Sequence, residues 1–237
     1  MPTNKSIESA VEQLNEGIIQ SVSRRRFLGY VGGASALLVT AASCKKDDNT
    51  ITTSGGVDLG SGDVGILNYA YALEQLEAAF YTQVAASPYA GITASETSYL
   101  TDIRNHEVAH REFFKAALTG AAPNDIIPGL SVDFSTINFA NRDSVLGTAK
   151  AFEDLGVTAY NGAGPLLKTA AYLTLAGKIV SVEARHAALI RELIAVNSFA
   201  DSTAVDANGL DGARKPSEVL AIAGKYLKTK VTANNLP

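Results

Sequence analysis

The sequence predicts an all-α fold, a bundle of four long helices arranged as two hairpins joined by a long crossover. Three observations predict it. Apolar residues recur at helical intervals through four stretches of the chain. A pattern of Glu, Tyr, Glu and His occurs twice, first as Glu74, Tyr81, Glu107 and His110, then as Glu153, Tyr160, Glu183 and His186. Between the two copies, residues 121–142 carry Pro123, Pro128 and Gly129. That stretch is long for a link between neighbouring antiparallel helices, and it has the length needed to cross a bundle end to end.

In chain order, residues 1–43 have the layout of an export signal. Arg24, Arg25 and Arg26 precede an apolar run from Phe27 to Ala42. Ser23 to Leu28 resembles a twin-arginine signal, with Gly29 where a Lys is usual. Ala41-Ala42-Ser43-Cys44 is similar to a lipobox, which makes Cys44 the candidate lipidation site. An uncleaved membrane anchor is the alternative, although the run is short for a bilayer and holds Gly29, Gly32 and Gly33. Residues 44–62, rich in Thr, Ser, Gly and Asp, read as a flexible tether.

The bundle is expected over residues 63–200. Its first helix should run from Val64 to about Ala86, with Asp63 as a candidate cap. Thr93 and Glu96 form a capping-box pattern that opens the second helix, which should stop before Gly120. The third should run from near Asp143 to about Tyr160, ahead of Asn161-Gly162-Ala163-Gly164. Pro165 suits the first turn of the fourth, which should continue to about Asn197. Residues 201–237 form a C-terminal extension, with Ser217 to Leu227 as a short fifth helix.

Composition sets limits on function. With 46% hydrophobic and 19% charged residues the chain can fill a core. Its net charge is −4 and its basic residues cluster only in the leader, which argues against nucleic acid as a partner. One cysteine excludes an intrachain disulfide.

The repeated pattern carries the chemistry. On a helix, residues three apart are adjacent on one face, so Glu107 with His110, and Glu183 with His186, can each grip one metal ion. Seven residues make almost two turns, which places Tyr81 on the stripe of Glu74 and Tyr160 on that of Glu153. Two such sets, each preceded by a helix with its own Glu, point to a dinuclear centre. Glu77 lies three residues after Glu74, but its counterpart is Gly156, which breaks the repeat; Glu77 reads as a partner to the ligands rather than a ligand. His106 turns about 100° away from Glu107 and reads as a surface or structural residue.

Residues 63 to about 198 resemble the ferritin-like diiron-carboxylate superfamily, whose helices contribute Glu, Glu-x-x-His, Glu and Glu-x-x-His in that order. Leu67-Asn68-Tyr69-Ala70, Leu73 to Tyr81, Phe152 to Gly156, Ala159 to Gly162 and Val182 to Ala187 are similar to an exported ferritin-like domain family that includes desiccation-related proteins. The resemblance implies two divalent ions, iron or manganese, bridged by Glu107 and Glu183. His110 and His186 would each bind one ion, with Glu74 and Glu153 as terminal ligands, and Tyr81 and Tyr160 would bond ligand carboxylates. Redox chemistry on peroxide or oxygen is the first functional expectation, and the leader adds export by the twin-arginine machinery, with lipid on Cys44 holding the protein at a membrane. A non-catalytic stress-protective or structural role is the principal alternative. Iron oxidation or storage is a third reading, disfavoured because a tethered monomer does not build a closed cage.

Overall fold

The computed structural model describes residues 52–53 and 56–237, so the export signal, Arg24, Arg25 and Cys44 lie outside the described residues. The body is the expected all-α bundle. Helices α1 (Gly62–Ala86) and α2 (Ala94–Ala121) pack along each other, as do α3 (Arg142–Ala163) and α4 (Ala170–Ile194). A short α5 (Pro216–Ala223) follows. No helix among the described residues is long and apolar enough to cross a membrane.

Local chemistry explains the starts of α2 and α3. The Thr93 hydroxyl accepts from the Glu96 N–H at 3.1 Å while the Glu96 carboxylate accepts from the Thr93 N–H at 3.0 Å. The capping box therefore starts α2 as its sequence indicates. Asn141 caps α3, its side chain accepting from the Ser144 N–H. Asp63 behaves differently from expectation. Ser61 is the N-cap of α1, and the Asp63 carboxylate accepts instead from the N–H groups of Lys168 and Thr169, at 2.8 and 2.9 Å. It thus serves the chain just ahead of α4. Pro165 does not open α4 either; it sits in a 3-10 turn (Gly164–Leu166), and the helix begins at Ala170 with Thr169 as N-cap.

The crossover is held to α1 by two buried amides almost two turns apart on one stripe of the helix. Asn68 donates to the carbonyls of Leu59 and Asp125 and accepts from the Ile127 N–H. Gln75 accepts from the Leu130 N–H at 2.8 Å. These bonds satisfy backbone groups that would otherwise be buried without partners. Phe134 and Phe139 of the crossover then pack on Phe80 of α1, which also meets Phe152 of α3 edge-on.

The tether and the C-terminal extension are more integrated than their composition suggests. Strand β1 (Thr52–Thr53) pairs with β2 (Gly56–Asp58), and β2 runs parallel to β3 (Val231–Thr232). Val57 and Leu59 are buried, so the described part of the tether belongs to the body. The physical reason is a long-range strand pairing that a Gly-rich composition conceals. Farther on, the Arg214 N–H donates to the Thr158 carbonyl, and a side-chain carbon added at Gly162 would lie 1.9 Å from the Arg214 carbonyl oxygen. Gly162→Ala gains about 1 kcal/mol in helix propensity. It must also displace backbone, at a cost of about 1–3 kcal/mol or more. The expected outcome is a net loss of stability, read as a lower urea midpoint.

Candidate metal centre

Each helix of the bundle brings one carboxylate to a common interior point. Glu74 comes from α1, Glu107 from α2, Glu153 from α3 and Glu183 from α4, all essentially inaccessible to solvent. Two imidazoles, His110 and His186, complete the cluster from α2 and α4. The atoms form two overlapping groups, each drawn together within 4.8 Å: Glu74, Glu107, His110 and Glu183, and then Glu107, Glu153, Glu183 and His186. All six candidate ligands therefore meet.

The two groups are near mirror images. His110 Nδ1 lies 2.9 Å from Glu183, 3.5 Å from Glu74 and 3.7 Å from Glu107. His186 Nδ1 lies 2.9 Å from Glu107, 3.4 Å from Glu153 and 3.8 Å from Glu183. Glu107 and Glu183 alone belong to both groups. Despite these approaches, Nδ1 of both imidazoles, both oxygens of Glu107 and of Glu183, and Oε2 of Glu74 and of Glu153 are buried and have no hydrogen-bond partner among the described residues. Unpaired buried polar atoms are costly, and a set of oxygen and imidazole donors converging on one point could hold a cation.

The other oxygens of Glu74 and Glu153 are occupied. Tyr81 of α1 donates to Glu153 of α3, and Tyr160 of α3 donates to Glu74 of α1. Each tyrosine thus serves the carboxylate of the opposite half of the repeat. Burial, then the charge of the facing carboxylate, raises both phenols well above their usual range, which keeps them protonated as donors.

The electrostatics of the empty cluster favour added positive charge. Burial opposes protonation of His110 and His186, yet the surrounding carboxylates prevail and push both up to about 12. Burial, with the charge of Glu183 next, pushes Glu107 upward, and Glu74 moves the same way for the same causes.

Glu77 and His106 lie outside both ligand groups, and the structure adds the contacts that each makes. Glu77 is buried near the centre but belongs to neither ligand group. A side-chain carbon at Gly156 would sit 3.2 Å from Glu77 Oε1, so the break in the repeat has a steric cause: Gly156 leaves the room that Glu77 fills. Burial and the four surrounding carboxylates raise Glu77 well above the carboxylate range, which favours the neutral acid. Glu77→Gln, a neutral shape match, is accordingly expected to leave metal stoichiometry unchanged and to shift stability by less than about 1 kcal/mol. Elemental analysis and thermal melts check both. His106 is exposed at the rim, but its Nδ1 lies 2.9 Å from His186 Nε2, and the rings stack 7° from parallel. The sequence clue was a His directly before Glu-x-x-His. Its partner lies 80 residues away on another helix, out of reach of periodicity.

No curated protein matches the chain. Residues 62–196, which span α1 to α4 and all six clustered residues, match the family model described as ferritin-like domain. A helical bundle with a buried carboxylate–imidazole cluster at its centre is what that match covers, and the chain belongs to the ferritin-like domain family.

Proposed function

We propose that the protein binds two divalent ions, iron or manganese, in the bundle core and uses them for redox chemistry on peroxide or oxygen. The carrying observation is the convergence of buried oxygen and imidazole nitrogen atoms that lack any hydrogen-bond partner. In this reading Glu107 and Glu183, which belong to both groups, would be shared by the two ions, His110 and His186 would hold one each, and Glu74 and Glu153 would complete the two sets. Carboxylates offset most of the ionic charge, and one imidazole per ion leaves coordination positions open. When bound, such a pair supplies reversible one-electron steps to a small oxidant.

The chain's own residues do the rest. Tyr81 and Tyr160 fix the orientation of the terminal carboxylates by holding their second oxygens. Glu77 keeps a proton beside the cluster. His110, at 13% side-chain exposure, is the more solvent-accessible of the two imidazoles.

The same reading has the protein exported through the twin-arginine route and anchored by lipid on Cys44, supported by Ser23 to Leu28 and by Ala41 to Cys44. Detergent-phase partition of the protein, lost in Cys44→Ala, tests the anchor.

A metal that only holds the bundle, in a stress-protective protein, is the second reading; the complete burial of Glu107, Glu153 and Glu183 favours it. Elemental analysis of protein purified without chelator, paired with peroxide and oxygen turnover, separates the two. Close to two iron or manganese per chain with turnover supports the redox reading. Two metals without turnover leave the structural role, and no metal on reconstitution defeats the redox reading and leaves a protective or structural scaffold without metal.

A further inference from the structure

The two ligand groups match closely on the inside and differ on the outside. His186 Nε2 is engaged by His106 Nδ1 at 2.9 Å, with the rings stacked at 5.1 Å between centroids. His106 stands directly before Glu107 in the first copy of the repeat, and the residue directly before Glu183 in the second copy is Val182. A hydrocarbon side chain cannot return the same service to His110. Solvent access follows the same division, with side-chain exposures of 13% for His110 and 5% for His186.

We propose that His106 is a positioning residue that makes the two metal positions unequal. It renders the Glu107–Glu153–Glu183–His186 position the tight one, filled first, and leaves the Glu74–Glu107–His110–Glu183 position labile. The inference rests on the dinuclear reading above.

Tautomer and ring orientation set the two positions apart. A neutral imidazole that binds metal through Nδ1 carries its proton on Nε2. For His186 that N–H has an acceptor in place, His106 Nδ1, and His106 then carries its own proton on Nε2. The hydrogen bond selects the metal-binding tautomer, fixes the ring plane and increases electron density at Nδ1. Loss of such an outer partner typically costs about 10–100-fold in metal affinity. His110 must instead be oriented by water and its ligand carboxylates, so its position pays more ordering entropy on loading.

The test is calorimetric titration of the full chain, stripped of metal, with Mn2+ under anaerobic conditions. The wild type is expected to bind in two steps separated by about tenfold or more. His106→Val, which installs the residue found at the matching position of the second copy, is expected to weaken the tight step by about 10–100-fold while moving the loose step little. His106→Gln, whose amide oxygen can accept from Nε2–H, is expected to recover part of the loss. A merely structural role would weaken both steps together and show no recovery with Gln. His106 is exposed, so neither variant opens a core cavity, and circular dichroism verifies the fold. Two equal steps in the wild type, or an unchanged tight step in His106→Val, overturns the proposal while leaving the dinuclear reading standing. Absence of any Mn2+ binding by the folded wild type overturns the dinuclear reading, and this inference with it.

Discussion

Glu107→Gln and Glu183→Gln, each made alone, are expected to take the protein from close to two bound divalent ions per chain to none or one loosely held. The loss should exceed the about 100-fold that removal of an outer-shell partner costs. These two carboxylates alone are shared by both ligand groups, each lying 2.9 Å from one imidazole and under 4 Å from the other. Removing one negative charge from between two cations weakens both positions at once. Glu74→Gln or Glu153→Gln removes a ligand from one group only and is expected to cost one ion. Elemental analysis after dialysis distinguishes these patterns. Equal losses from Glu77→Gln would show that the ligand set had been drawn too narrowly.

The same variants have an opposite signature without metal. Burial, and then the charge of Glu183, disfavour a charged carboxylate at Glu107, so a neutral amide there removes a buried charge that the empty cluster holds at a cost. Glu107→Gln is therefore expected to melt at or above the wild type in chelator and well below it in excess metal. A variant that merely disrupted packing would melt lower in both.

Metal loading is expected to release protons, about two per chain at pH 7, and to tighten steeply as pH rises. In the metal-free protein the flanking carboxylates, overcoming burial, push His110 and His186 up to about 12, so both imidazoles are protonated at neutral pH. Each must surrender the proton on Nδ1 before that atom can bind an ion. Apparent affinity should change by about tenfold per pH unit for each proton displaced. The sign for stability follows from the raised values. The metal-free protein draws full stability from these protons below about 6.5, the unfolded value. It loses that stability as pH rises toward 12. Metal binding strengthens over the same interval, so the difference in melting temperature between loaded and stripped protein should widen from pH 6 to pH 9. With free metal at about 1,000 times its dissociation constant, one site adds about 4 kcal/mol. Titration calorimetry in buffers of differing ionisation enthalpy counts the protons. A count of zero would mean the imidazoles are neutral before loading, and the picture of a cluster starved of positive charge would fail.

The bundle was legible because a helix converts sequence spacing directly into direction. Glu107 and His110, or Glu183 and His186, face one way simply because three residues separate them, and no knowledge of the neighbouring helices is needed. The capping box at Thr93 and Glu96 was equally readable, because both partners lie within one turn. The length of the crossover followed from geometry as well. Its attachment did not, because Asn68 and Gln75 look like ordinary polar residues until the segment from Asp125 to Leu130 is laid beside them.

The sequence by itself determined the four helices and the two-fold repeat of Glu, Tyr, Glu and His, all of them consequences of local periodicity. Only the tertiary structure decided which side chains answer one another across the bundle. Tyr81 serves Glu153 and Tyr160 serves Glu74, Gly156 yields its space to Glu77, Asp63 holds the chain ahead of α4, and His106 supports His186. Residues 56–58, read as tether, pair with the strand at Val231–Thr232. The physical reason is common to all of these. Each is a through-space contact between segments distant in the chain, fixed by how helices and strands pack, and periodicity within one segment carries no record of the rotation of its neighbour.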